Sequence, residues 1–434
     1  MALKVEHVSE EMDETLWSDQ EVGISKNGSI SEITIEPTID DKIRGVFTDL
    51  DLNPELLRAV SDAGYIDPTP IQVRAIPLIL KGHDVLGCAQ TGTGKTAAFA
   101  LPAMQRLGAL SSIRDASNRV NSTKTKMKRQ IRILVLAPTR ELAIQIDNSF
   151  SSYGKYTGLK STVIYGGVSQ NPQVKKLTQG VDIVVATPGR LIDLMEQGYI
   201  KLSQVKILIL DEGDRMLDMG FIDDIRYIVK KTAQKGRQTL LFSATIPREV
   251  KELAKAILNN PIEINISPEQ PTLEIIKQSV YFISSKKKQA LLQHLLKDSA
   301  ITRALVFTRT KHSANRVVKN LQKKGIRADA IHGNKSQTAR QTALKNFRMG
   351  KTDVLVATDV ASRGLDVDDI SHIIQFDLPD VPETYLHRIG RTARAGAEGT
   401  AFAFCEENEH QKLKDIEKLI RMRISRIKNH PFIA

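Results

Sequence analysis

Eight consecutive residues, Ala89-Gln90-Thr91-Gly92-Thr93-Gly94-Lys95-Thr96, have the composition of a loop that cradles phosphates. Glycines let successive backbone N–H groups turn onto phosphate oxygens, and a helix N-terminus behind them adds partial positive charge. The run follows the apolar Asp84–Cys88 and precedes the helix-prone Ala97–Leu101, the strand–loop–helix setting such a loop requires. Lys95 is placed to reach terminal phosphates, and the Thr96 hydroxyl to ligate Mg²⁺. The strict pattern has glycine where Ala89 stands, so the motif taken alone still admits a plain Gly/Thr-rich turn opening a helix. A second group lies further on, where Asp211 and Glu212 end the apolar run Lys206–Leu210. Ligands of α/β proteins bind at the carboxyl ends of strands. There Asp211 can hold Mg²⁺ through water, and Glu212 can polarise an attacking water. A helix-capping pair of acids is the bland alternative.

These residues need a scaffold, and the chain supplies alternating patterns from about Phe47 onward. Strand-like runs fall at Ile131–Ala137, Ser161–Tyr165, Val181–Ala186, Val205–Leu210 and Gln238–Phe242, with helical patterns at Glu141–Tyr156, Pro188–Glu196 and Arg248–Leu258. Continuous Val/Ile/Leu strands spaced by helices predict a parallel sheet covered on both faces. The Pro-bearing stretch Ser267–Pro271 then reads as a linker. Alternation resumes with strands near Ser279–Ile283, Ala304–Thr308, Ala328–Ile331, Val354–Ala357 and Ile370–Phe376, and helices at Lys286–Lys297, Ser313–Lys324 and Ser336–Met349. The expected architecture is therefore α/β, with two domains of which only the first carries a phosphate loop. The polar, basic segment Ser111–Gln130 reads as a surface loop, and Leu413–Arg421 as a terminal helix.

At 434 residues the chain can bury two cores of ordinary size, and its 41% hydrophobic content is that of a globular protein. No apolar run approaches a membrane span, and no secretory leader pattern opens the chain, so a cytoplasmic location is expected. The two cysteines, Cys88 and Cys405, lie far apart in apolar surroundings, which favours reduced thiols over a disulfide or a metal cluster. Net charge is +12, but residues 1–45 hold eleven acidic against four basic residues, a net −7 that leaves +19 for the rest. A body that basic suits a polyanionic partner, and the acidic leader reads as a mobile extension.

Asp211-Glu212-Gly213-Asp214 resembles motif II of the DEAD-box RNA helicases, with glycine in place of the usual alanine. The other motifs of that family follow in order over roughly residues 47–404. The resemblance implies two tandem RecA-like domains, each a mostly parallel sheet flanked by helices: an extension over 1–45, domain 1 over 46–266, a linker at 267–273, domain 2 over 274–411 and a basic helix and tail over 412–434. Phe47 and Gly64–Gln72 are similar to the Q motif, which implies that Gln72 reads the N6/N7 edge of adenine and Phe47 stacks on the base. Ser243-Ala244-Thr245 resembles motif III, whose small hydroxyls bridge Asp214 toward the second domain. Thr358–Asp366 resembles motif V, placing Gly364 and Asp366 at the nucleotide with Asp366 near the ribose. His387–Arg394 resembles motif VI. Arg391 and Arg394 share a helix face at i,i+3 and suit the γ-phosphate, and His387 links this motif to the others. Lys95, Asp211 and Glu212 belong to one domain and Arg391 and Arg394 to the other, so the catalytic set is complete only on closure.

RNA is the implied driver of closure. Pro138, Thr139 and Arg140 resemble motif Ia, Gly166-Gly167 the paired glycines, and Thr187 with Arg190 motif Ib, each joining a turn to a helix N-terminus that suits backbone phosphate. Thr310, Gln337, Arg340 and Thr358 are implied on domain 2. The stretch Ile331–Arg340 most resembles the RhlE-type bacterial branch. The expectation is RNA-stimulated ATP hydrolysis with Mg²⁺, coupled to non-processive opening of short duplexes at little sequence specificity, since opening about six pairs costs roughly 8 kcal/mol on the DNA stacking scale. The alternatives are an ATP-gated RNA clamp or assembly platform, a DNA-directed ATPase and a non-catalytic scaffold.

Overall fold

The computed structural model describes residues 46–90, 92–118, 129–233, 235–266, 276–359, 370–392 and 399–432. The linker 267–273 and the leader 1–45 therefore lie outside the described residues.

Two seven-stranded sheets carry the molecule. The first is built from β1 (Val85–Cys88), β2 (Ile133–Leu136), β3 (Ser161–Ile164), β4 (Ile183–Ala186), β5 (Ile207–Leu210), β6 (Gln238–Ser243) and β7 (Ile262–Asn265), in the order β3-β4-β2-β5-β6-β1-β7. All its pairings are parallel. Every residue of β2, β4, β5 and β6 is buried, as expected for strands packed on both faces. One face meets an apolar layer with Ile76, Phe99 and Phe150, the other a layer with Leu191, Met216 and Leu253.

The second sheet comprises β8 (Ile276–Phe282), β9 (Ala304–Phe307), β10 (Ala328–Ile331), β11 (Val354–Ala357), β12 (His372–Gln375), β13 (Gly399–Cys405) and β14 (Ser425–Ile427). Its order, β10-β11-β9-β12-β13-β8-β14, repeats that of the first sheet strand for strand, again all parallel.

The strand order sets the site. β5, β6 and β1 are neighbours, so Asp211, Ser243 and the phosphate loop leave three adjacent strands about 4.8 Å apart. In the second sheet β10, β11 and β9 are adjacent, grouping the segments that hold Gln337 and Arg340, Thr358 and Thr310.

Three strands were not expected from periodicity. β7 alternates polar and apolar over only four residues, β13 is built from Ala and Phe behind a glycine, and β14 is three residues of mixed polarity. The helix that follows the phosphate loop runs Lys95–Asn118, so Ser111–Asn118 is helical where a loop was expected; residues 119–128 lie outside the described residues.

At the C-terminal rim of the second sheet, Lys288 is 1% exposed, with its ammonium 2.7 Å from Glu406, 3.3 Å from Asp377 and 3.4 Å from Glu409. Arg309 completes the cluster on Glu409 at 2.5 Å. Removing the cation leaves buried carboxylates uncompensated. Lys288→Met is expected to destabilise the protein by about 3 kcal/mol or more, read as a lower urea midpoint; an unchanged midpoint would show that water reaches this cluster.

Candidate active site

The phosphate loop is shaped by two left-handed glycines, Gly92 (φ +89°) and Gly94 (φ +87°). Gly94 has a second reason to be glycine: a Cβ there would fall 2.4 Å from Gln72 Nε2. That amide donates to the Gly94 carbonyl at 3.1 Å, while Gln72 Oε1 accepts the Thr69 N–H at 2.9 Å. Gln72 thus couples its own helix start to the loop, with both ends of its amide engaged. Lys95 is buried and donates to the Ala89 carbonyl at 2.7 Å; Thr93 Oγ1 donates to Gln90 at 2.8 Å. Ala89 is 1% exposed and its N–H bonds to the Ser243 carbonyl, so its methyl is a core group. Phe47, expected to stack on the base, is 5% exposed, packed in the apolar layer and against Tyr65 (ring centroids 6.4 Å). Thr91 lies outside the described residues.

Asp211 and Glu212 are each 2% exposed. Asp211 Oδ1 accepts the Glu212 N–H at 2.9 Å. Burial pushes its carboxyl up to about 6; Lys95 opposes the shift and Glu212 adds to it. Glu212 holds a left-handed conformation (φ 56°, ψ 52°), a state that costs a non-glycine residue of order 1–3 kcal/mol. Its Oε2 takes a hydrogen bond from Arg215 at 3.1 Å, and its Oε1 is buried without a partner. Asp214 joins motif II to motif III: its N–H donates to Ser243 Oγ at 3.0 Å, and its Oδ2 accepts from Thr245 N–H (3.0 Å) and Oγ1 (2.8 Å). At Gly213 the position of a Cβ falls 2.7 Å from Leu241 Cδ1, so this leucine occupies the space of the usual alanine methyl. The Thr96 hydroxyl and the Asp211 carboxylate are hard oxygen donors of the kind Mg²⁺ takes, and next to Asp211 the buried Oε1 of Glu212 is without a partner.

The second domain faces this site. Arg391 is 4% exposed, and His387, on the helix Pro382–Ile389, lies within electrostatic reach of Arg215, Asp214 and Glu212. Burial lowers the pKa of His387, and Arg215 lowers it further, so the ring is neutral near pH 7. Arg394, Gly364 and Asp366 lie outside the described residues. Across the cleft Glu141 accepts from Gln337 Nε2 (3.0 Å) and pairs with Arg340 (3.0 Å), all three side chains being buried. Arg140 Nη1 reaches Gln337 Oε1 at 3.5 Å and lies over Gly167, where a Cβ would fall 2.1 Å from that nitrogen. The neighbouring Gly166 is 3.8 Å from Arg140 by the same measure.

The other expected nucleic-acid residues form helix starts. Thr139, behind the buried Pro138, caps the helix Arg140–Tyr153 by accepting from Leu142, and Thr310 caps Lys311–Gln322 by accepting from Ser313. Thr187 precedes the helix Pro188–Glu196, and Arg190 is tied to Asp193 and the Val168 carbonyl. Thr358 follows β11, bonded through its N–H to Ile331. Sequence reasoning assigned no role to Glu141, Arg215 or Arg388. Arg388 is 3% exposed and grips Asp359 with two bonds (2.6 and 2.8 Å), Gln375 and the Asp377 carbonyl, with Phe307 beneath it. The sequence shows that such a buried cation needs a carboxylate but does not say which one, since Asp359 reaches Arg388 only through the fold.

Fold and site together define a protein of two tandem RecA-like domains with a phosphate loop on the first and buried arginines on the second. The DEAD/DEAH box helicase pattern matches residues 69–253, and the helicase conserved C-terminal domain matches residues 286–396. The chain belongs to the DEAD/DEAH box helicase family. It is 43% identical over 375 residues to the ATP-dependent RNA helicase RhlB of Pasteurella multocida, covering 86% of each chain. It is also 43% identical over 380 residues to RhlB of Xanthomonas axonopodis pv. citri, where it covers 87% of itself but 65% of that longer relative. The structure of S. cerevisiae Dbp5 bound to RNA and ADP BeF3 is similar at a TM-score of 0.75 and 31% identity, over 88% of this chain and 95% of that one.

The raised carboxyl of Asp211 has a stability consequence. Unfolded, Asp211 ionises near 3.8, and folded near 6, so between these values the folded state holds the extra proton and stability falls as pH rises. Asp211→Asn removes that penalty. In nucleotide-free protein it is expected to add about 2–3 kcal/mol at pH 8, shrinking as pH drops from 6 toward 4. Urea unfolding at pH 8 and pH 5 checks this; an equal gain at both values would assign it to packing.

Proposed function

We propose that the chain is an ATP-dependent RNA helicase in which RNA-stimulated ATP hydrolysis drives local, non-processive separation of short duplexes. The observation that carries this reading is the facing of the two domains, with His387 and buried Arg391 on one and Asp211, Glu212 and Lys95 on the other. Thr96 and Asp211 would hold Mg²⁺, which would neutralise charge on the phosphates. Lys95, pre-positioned at the loop, exchanges the Ala89 carbonyl for terminal phosphate oxygens. Glu212 offers its unpartnered Oε1 to the attacking water, kept in place by Arg215 on the other oxygen. Arg391, with Arg394 beside it in sequence, stabilises charge developing on the transferred group. The Asp214–Thr245 bonds link that chemistry to the loop after β6.

RNA is the polyanion favoured by the helix starts at Thr139, Thr187 and Thr310 and by the basic body of the chain. A ribose 2′-OH contact would give preference over DNA. The segment Ile331–Arg340 supports an RhlE-like placement, although the relatives at 43% carry the RhlB name. A cytoplasmic location agrees with the absence, among the described residues, of any helix long and apolar enough to cross a membrane. The face-to-face placement of the domains through Glu141 also suits a second reading, a clamp closed on RNA that hydrolyses slowly.

Steady-state ATP hydrolysis measured alone, with single-stranded RNA and with matched DNA at fixed salt tests the proposal. Strong stimulation by RNA only is expected. Equal stimulation by DNA would replace it with a DNA-directed ATPase, and slow turnover with long-lived RNA complexes with the clamp. Arg391→Ala is expected to cut turnover by about 10³-fold or more while nucleotide affinity changes only a few-fold. Near-normal turnover would remove Arg391 from the mechanism.

A further inference from the structure

Glu212 is held in a left-handed conformation (φ 56°, ψ 52°), and the residue after it, Gly213, stands where the resembling motif II has alanine. The pair is mechanically awkward. A strained residue persists only where its surroundings fix it. Glycine is the neighbour that fixes least, because without a Cβ its own torsions are almost free. What holds Glu212 has to reach Gly213 from outside.

Hydrogen bonds grip the residues on either side. The Glu212 N–H donates to Asp211 Oδ1 at 2.9 Å, Arg215 Nη1 donates to Glu212 Oε2 at 3.1 Å, and the Asp214 N–H donates to Ser243 Oγ at 3.0 Å. At Gly213 itself the neighbour is apolar. Leu241 Cδ1 lies 2.7 Å, and its Cγ 3.7 Å, from the point where a Cβ of residue 213 would stand. The Phe242 carbonyl oxygen closes the same side at 3.7 Å.

Leu241 is well anchored for such a task. It is 0% exposed on β6, in register with Leu210 on β5 and Leu86 on β1. All three belong to the apolar layer that also holds Met216. Leu210 immediately precedes Asp211, and Met216 shares the short helix Gly213–Asp218 with Gly213. One leucine thus joins the strand that delivers motif II to the turn that follows it.

We propose that Leu241 is a positioning residue for hydrolysis. Its branched methyl stands in for the absent alanine methyl, pins the Gly213 backbone, and so keeps Glu212 in the turn that leaves its Oε1 unpartnered for water. Being fully buried, Leu241 acts through Gly213 and not by touching a ligand. The inference rests on the role given to Glu212 above.

The test is steady-state ATP hydrolysis by the full chain at saturating single-stranded RNA, with kcat and KM for ATP taken separately. Leu241→Val removes the δ-methyl and leaves a void beside Gly213. Its kcat is expected to fall about tenfold, as the strained turn relaxes. KM for ATP should stay within about twofold, because the bonds of Gln72 and Lys95 to the phosphate loop are untouched. Leu134→Val, at an equally buried leucine of the same layer on β2, is the control for a cavity as such and should leave kcat unchanged.

The deciding measurement repeats Leu241→Val in a Gly213→Ala background. There the alanine methyl refills the void and restricts the backbone, so the valine should bring no further loss. An equal loss in both backgrounds, a loss shared by Leu134→Val, or wild-type kcat in Leu241→Val would overturn the inference. If the valine variant does not fold, Leu241→Met keeps the core volume while withdrawing the branched methyl. It should lose about threefold in kcat and recover in the alanine background; a methionine variant with wild-type kcat would equally overturn the inference. Wild type without RNA-stimulated hydrolysis would instead sink the function proposed above, a different result from any of these.

Discussion

A carboxylate out of water needs a partner, and at the junction of the two domains Glu141 finds both of its partners on the other domain. It is 4% exposed, with Gln337 on one oxygen and Arg340 on the other. Desolving these groups costs several kcal/mol, which their attraction roughly offsets. Such a contact fixes the relative placement of the domains without holding them strongly. That is the property the proposed cycle of closure and opening requires of this interface. Gln337 and Arg340 sit on the first turn of one helix and Glu141 on the first turn of another, so the ends that suit phosphate are also the ends that meet.

Within the first domain the chemistry is held by arrangements that are each locally unfavourable. Asp211 is ionisable and buried, Glu212 is strained and keeps one oxygen unpaired, and Lys95 is an ammonium with a carbonyl for a neighbour. Three parallel strands make this possible, because β5, β6 and β1 deliver their ends side by side from a layer with no exposed residue to yield. Asp214 then spreads the load, binding Ser243 and Thr245 so that the backbone of motif II cannot relax alone.

The apolar strands were legible because burial on both faces writes a continuous Val/Ile/Leu run, as in Ile133–Leu136 and Ile207–Leu210. The edge strands β7 and β14 were not, since one exposed side erases that run and each is too short to alternate convincingly. Lys95, Asp211 and Glu212 were readable from the chemistry of their neighbours in sequence. Glu141, Arg215 and Arg388 were not, because their partners Arg340, Glu212 and Asp359 are defined by folding, two of them at separations of 199 and 29 residues.

The two sheets share one strand order, so each position in the first has a counterpart in the second. β8 corresponds to β1, β12 to β5 and β13 to β6. Lys288, at the helix start after β8, thus stands where Lys95 stands; Asp377 follows β12 as Asp211 follows β5, and Glu406 follows β13 as Ala244 follows β6. In the first domain the lysine is left with a carbonyl and awaits phosphate; in the second it is saturated by carboxylates of its own chain. The molecule reads as a doubled architecture whose second copy has turned a phosphate seat into an internal salt. On the function proposed above, the expected stoichiometry is one nucleotide per chain, seated in the copy whose lysine keeps only a carbonyl.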